Sequence, residues 1–159
     1  MANYYQEFSE EITWLTEEEV EWIRSILLYD HDGDMEDLDE EEFQAYCDKH
    51  WDGDEENIPD ECWPSIEYEI EHSPQSGTSI WMHGGQLEYV AVFVKKFLAR
   101  FRPTNIFSLT WADTCSKPRI GAFGGGLVVI SATQTEWRNT ASMVDEIKSQ
   151  VLEGGGKCD

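Results

Sequence analysis

Basic residues are nearly missing from the first half of this chain. Residues 1–82 hold two, Arg24 and Lys49, against 26 Asp and Glu, a balance of −24. Residues 83–159 hold nine against seven, a balance of +2. A surplus of this size repels DNA, RNA and anionic lipid, which argues against direct binding to any of them. Long apolar runs are missing too. No stretch of about 18 apolar residues occurs, so no membrane span is expected. The opening MANYYQEFSEE lacks a basic stretch followed by an apolar one, so no secretory signal is expected. Cysteine is sparse: Cys47, Cys62, Cys115 and Cys158 stand at wide, irregular spacings. That pattern is neither a zinc signature nor a disulfide framework, and it predicts a reduced, cytoplasmic protein.

What is present suffices for a core. The 159 residues are 40% hydrophobic, with seven Trp, six Tyr and seven Phe. This fits one compact domain over 1–159, with an acidic helical part at 1–63, a mixed core at 64–152 and a flexible tail at 153–159. In residues 1–14, Tyr4, Tyr5, Phe8, Ile12 and Trp14 suggest an aromatic edge docked on that core.

The first helix announces itself at Thr16. Thr16 is the N-cap, Glu19 completes a capping box, and Leu15 with Val20 forms a hydrophobic staple. The helix is expected to reach about Tyr29, with Val20, Ile23, Ile26 and Leu27 on one face. The signal recurs at Asp39, with Glu42 at its N3 position and Leu38 and Phe43 as the staple, predicting a helix over 40–50. The N-terminal part therefore reads as an acidic helix-loop-helix.

Period two begins at Ile66. Ile66, Tyr68 and Ile70 alternate with Glu67, Glu69 and Glu71, a half-buried strand with an acidic outer face. A turn over 72–78 and a short strand over 79–82 follow, closed by Gly84 and Gly85. Residues 87–101 form an amphipathic helix stopped by Pro103, with Lys95, Lys96, Arg100 and Arg102 near its C-terminal end. Strands are expected at 106–111 and 127–132, joined by a long glycine-rich connection, and a last helix at 141–152 uses Met143, Ile147 and Val151. The expected class is α+β: an antiparallel sheet in the order ββαββα from about residue 64, with two helices on one face.

The densest acidity lies in 30–61, where 16 of 32 residues are Asp or Glu. Its first part, Asp30-His-Asp-Gly-Asp34, resembles an EF-hand calcium loop. Asp30, Asp32 and Asp34 take the first three ligand positions. Met35 stands where the loop glycine belongs. With one residue inserted, Asp39 becomes the ninth position and Glu42 the closing bidentate carboxylate. The resemblance covers roughly 18–48 and implies calcium held by Asp30, Asp32, Asp34, Asp39 and Glu42. A weaker echo runs from His50 to Trp63, with His at the first ligand position and Cys62 in place of the closing Glu. In a segment that is half acid, such a frame also arises from composition alone. The His residues show no helical pairing that would support a zinc site.

A second use of the same charge is recognition. Carboxylates spaced like phosphates, of which each DNA strand has one per about 3.4 Å of helix axis, can occupy a DNA-binding cleft. In charge and size the chain resembles small acidic inhibitors of restriction and CRISPR enzymes, which implies a basic partner that handles nucleic acid. Glu36, Asp37, Glu40, Glu41, Asp52, Asp54, Glu55, Glu56, Glu67 and Glu69 are the residues expected to face it. A solvated acidic surface is the plainer alternative. A halophile's charge would spread over the whole chain.

Trp111-Ala-Asp-Thr-Cys-Ser-Lys-Pro-Arg119, with Phe123-Gly-Gly-Gly126 ahead of a strand, resembles an uncharacterised group of small bacterial and phage proteins. That resemblance implies no activity. Cys115 near Lys117 and Arg119 is a conceivable nucleophile, with Asp113 and His83 as helpers. The alternative is a structural hairpin whose glycines allow positive φ or close packing under Phe123. The expectation is a binding protein rather than an enzyme, with calcium binding as the alternative and no other cofactor.

Overall fold

The computed structural model describes residues 4–27, 66–117 and 123–154. In chain order the elements are β1 (Tyr4–Phe8), β2 (Glu10–Ile12), α1 (Glu17–Ile26), β3 (Ile66–Ser73), β4 (Gly77–Gly85), α2 (Leu87–Phe101), β5 (Ile106–Cys115), β6 (Gly124–Ser131), β7 (Thr135–Asn139) and α3 (Thr140–Gly154). The class is α+β, with two antiparallel sheets, β1-β5-β6-β7 and β2-β4-β3, among the described residues. The chain forms two compact units, residues 11–90 and residues 1–10 with 91–159.

In the second of these units, alternation sorts the sheet into two faces. Phe8 pairs with Trp111, Leu109 with Val128, and Phe107 with Ile130, which puts all six on one face. Phe8, Leu109, Val128 and Ile130 are buried there. Each such side chain contributes about 1.5–3 kcal/mol on leaving water. Glu7, Ser108, Thr110, Val129, Glu136 and Arg138 lie on the other face and are exposed. Glycines enter β6 because Trp111 crosses it: the indole occupies the space where Gly126 would carry a Cβ, and meets Trp137 edge-on at 5.7 Å. Gly125 adopts φ +148°, which a side chain rarely tolerates.

In the unit 11–90, the predicted capping box closes α1. Thr16 Oγ1 accepts from Glu19 N at 3.2 Å, and Glu19 Oε2 accepts from Thr16 N at 2.7 Å. Ile23 and Ile26 are buried on the face that period 3.6 marked out. The hairpin of β3 and β4 pairs Tyr68 with Met82 and Ile70 with Ile80. Trp14 N donates to Ser76 O at 3.1 Å and Leu15 N to Thr78 O at 2.8 Å, tying the entry to α1 onto that hairpin's turn.

The α+β class, the start of α1 and the span of α2 agree with the sequence pattern. The order does not agree in detail. From residue 66 it is ββαβββα, because β7 intervenes before α3, and the strands form two sheets rather than one. β1 pairs residue for residue with the second half of β5, which extends that strand to Cys115 rather than Trp111. α1 ends at Ile26, not Tyr29, since Leu27 turns extended at φ −103°, ψ 98°. α3 is placed as expected, but Met143, Ile147 and Val151 are exposed rather than buried. The expected connection between 111 and 127 is shorter, since β6 already starts at Gly124, and its residues 118–122 lie outside the described residues, as do the expected loop and helix over 30–50, the echo at 50–63 and the end of the tail.

Candidate acidic binding face

β3 presents its carboxylates by simple alternation. Strand side chains alternate between faces at about 3.4 Å per residue, so Glu67, Glu69 and Glu71 share one face at intervals of about 6.8 Å. The other face takes Ile66, Tyr68 and Ile70, of which Ile66 is buried. All three glutamates are exposed.

β4 flanks the row as the neighbouring strand of the same sheet. Glu69 pairs with Trp81 and Glu71 with Ser79, and the register shifts between Glu67 and Tyr68. Glu67 is opposite Gly84 while Tyr68 is opposite Met82, so His83 is the extra residue of a β-bulge. The bulge aims the imidazole between two carboxylates. His83 Nδ1 lies 3.8 Å from Glu67 Oε2, and Nε2 lies 3.9 Å from Glu69 Oε1. The His83 ring also rests on Trp81, with centroids 4.3 Å apart. The Glu67 side chain lies over Gly84, in the space that a Cβ there would take. The His83 side chain is 29% exposed, against 72% for Glu67 and 49% for Glu69, so a partly covered imidazole stands beside two open carboxylates. Beyond it, the hydroxyl of Ser79 is buried without a hydrogen-bond partner among the described residues.

Of the expected partner-facing residues, Glu67 and Glu69 are thus on one open face, and Glu71 joins them. Glu36, Asp37, Glu40, Glu41, Asp52, Asp54, Glu55 and Glu56 lie outside the described residues. So do the expected calcium ligands Asp30, Asp32, Asp34, Asp39 and Glu42. Among the described residues no cluster of three or more His, Cys, Asp or Glu is arranged to hold a metal ion.

The Cys115 region acquires a structural role for its neighbours. Cys115 ends β5, half-buried, with its thiol free. Asp113 accepts a hydrogen bond from Gln6 Nε2 at 3.3 Å, and Thr114 Oγ1 donates to Glu7 Oε1 at 3.3 Å, so both brace β1. His83 falls in the other unit and sits between the glutamates of its own hairpin. Arg119 is outside the described residues. Gly126 packs under the Trp111 ring and Gly125 against the Trp111 backbone, while Phe123 is exposed.

Two features escaped the sequence pattern. Gly84-Gly85 read as the end of a strand and instead continues β4 through the bulge that orients His83. Trp14 read as an ordinary anchor and has φ +58°, the one positive-φ residue other than glycine among those described. No known family, curated protein or solved structure matches the chain.

Proposed function

We propose that this is an acidic protein-binding module, cytoplasmic, that engages the basic surface of a nucleic-acid-handling protein in place of nucleic acid. One observation carries the reading. The charge imbalance follows the division into units: residues 11–90 hold 25 Asp and Glu against two Lys and Arg, a balance of −23, and the remainder balances at +1. One unit concentrates the charge while the other is nearly neutral. A general solubility function would not require that partition. The open carboxylate row of β3 supports the reading, since it repeats a negative charge at a regular interval of about 6.8 Å, as a nucleic-acid strand repeats its phosphates. Among the described residues no helix is long and apolar enough to cross a membrane.

The test is competition. Purified DNA-binding proteins, with histone octamer as a charge-only control, are titrated with the full chain in the presence of labelled duplex DNA. The chain is expected to displace duplex from its partner and to bind histones less selectively. Complex formation should weaken as salt rises from about 0.1 to about 1 M, where the screening length falls from about 10 to about 3 Å. Binding indifferent to salt, or bound partner that still takes DNA, would remove the proposal.

A further inference from the structure

We infer that α3 is a self-association surface whose occupant is α3 of a second copy of this chain, packed in parallel about a two-fold axis. The inference is independent of the acidic-binding reading and concerns the other unit, which balances at +1. α3 has a built start. Asn139 Oδ1 accepts from Ser142 N at 2.8 Å, and Ser142 Oγ donates to Asn139 O at 2.9 Å. The helix follows β7 without an intervening residue and meets β6 and β7. Yet every residue from Glu136 to Leu152 is exposed. Met143, Val144, Ile147 and Val151 share a face about 100° wide. They are 39%, 47%, 54% and 67% exposed, so the stripe opens toward the C-terminal end of α3. A helix of 15 residues is marginal in water until its apolar face is packed. A contiguous apolar stripe of this kind marks an interaction surface.

The charges beside the stripe select the occupant. Each residue turns a helix by about 100°, so Glu146 and Lys148 flank Ile147 on opposite sides. Two such helices packed stripe to stripe in parallel set the Lys148 flank of each copy beside the Glu146 flank of the other. An opposite-charge pair then lies on both sides of the seam. Antiparallel packing sets Lys148 beside Lys148 and Glu146 beside Glu146, where like charges repel. Val144, Ile147 and Val151 stand three and four residues apart, the spacing of a coiled-coil seam. A basic partner drawn to carboxylates finds no surplus of them along this seam, because Glu146 and Lys148 balance. The seam covers about two heptads, so the pair belongs to the weak, concentration-dependent class. At about 0.15 M salt, charges more than about 8 Å apart are largely screened, so a net charge of −22 does not forbid it.

Sedimentation equilibrium of the full chain at that salt, from micromolar to millimolar concentration, tests the pair. The parent is expected to move from monomer toward dimer mass as concentration rises. Ile147→Glu, at an exposed position, should weaken the dimer at least about tenfold and leave the melting temperature of the dilute monomer unchanged. Glu146→Lys and Lys148→Glu each turn both opposite-charge pairs into like-charge ones. Each should weaken the dimer roughly 2- to 30-fold, the range of two exposed ion pairs. The two variants change the net charge in opposite directions, so general repulsion alone would weaken one dimer and strengthen the other. Antiparallel helices would leave the number of like-charge pairs unchanged. An equimolar mixture of the two variants should dimerise as well as the parent, because every Lys at the seam then meets a Glu. A parent that stays monomeric at millimolar concentration overturns the inference. So do opposite effects of the two swaps, or a mixture that associates no better than its components. So does a lower melting temperature of dilute Ile147→Glu, which would mean that the chain's own residues cover the stripe.

Discussion

The indole of Trp111 fills the space above Gly126, so that β6 has no side chain where β5 crosses it with its largest one. A methyl group at 126 would meet the ring on one side and the Arg138 carbonyl on the other. Gly126→Ala is therefore expected to destabilise the protein by about 1–3 kcal/mol, the usual cost of overpacking. Gly124→Ala should be milder, since its nearest neighbours, Thr140 Oγ1 and Asp113 Oδ2, stand at 3.1 and 3.3 Å. Urea midpoints of the two variants, compared at constant slope, check this order.

Trp14 and Gly77 form a second such pair. A Cβ on Gly77 would stand 2.8 Å from Trp14 Cε3, and Gly77 itself has φ +67°. Both the ring and the backbone oppose a side chain there. Gly77→Ala should cost about 1–3 kcal/mol, and pairing it with Trp14→Asn should recover part of the loss. Asn accepts a left-handed conformation and removes the ring. Purely additive losses in the double-mutant cycle would show that the ring contact is not the cause.

The capping box gives a sharper local test. Thr16→Ala removes the acceptor for Glu19 N and should cost about 1 kcal/mol, while Thr16→Ser should be close to neutral. The loss should appear as lower helicity and melting temperature. A variant of unchanged stability would mean that α1 is held by its buried Ile23 and Ile26 alone.

Calcium provides a contrast with the partner reading. Under that reading, calcium titration gives a weak heat that is the same in the parent and in Asp30→Ala with Glu42→Gln. A saturable micromolar heat lost in the double variant would instead put the EF-hand-like frame to use, within the affinity range of sensor loops.

Cys115 is expected to alkylate no faster than a model thiol at neutral pH. Its strand neighbours Asp113 and Thr114 are engaged in bracing β1. Selective, accelerated labelling of the half-buried thiol would revive a nucleophilic role.

How far the pattern can be read from residues depends on the range of the interaction. Thr16 and Glu19 are three apart, and their reciprocal hydrogen bonds follow from local geometry; the start of α1 was legible for that reason. The alternation from Ile66 to Glu71 likewise fixes which side chains share a face once a strand forms. β1 and β7 were not legible. Tyr4–Phe8 and Thr135–Asn139 carry mixed polar and apolar residues, and each becomes a strand through pairing, β1 with β5 more than 100 positions away and β7 with β6. The orientation of His83 was hidden for the same reason, since a bulge is a property of two strands and not of one.

By itself, then, the sequence determined the charge partition, the α+β composition, the cap of α1 and the outward set of Glu67, Glu69 and Glu71. These rest on counts and on periodicities that each segment carries alone. Only the tertiary structure decided that the described strands form two sheets, that β4 flanks β3 with His83 in a bulge, and that Trp111 and Trp14 replace side chains over Gly126 and Gly77. Those outcomes depend on which distant segments pair, and a chain's local preferences do not encode the free energy of a contact whose partner lies elsewhere.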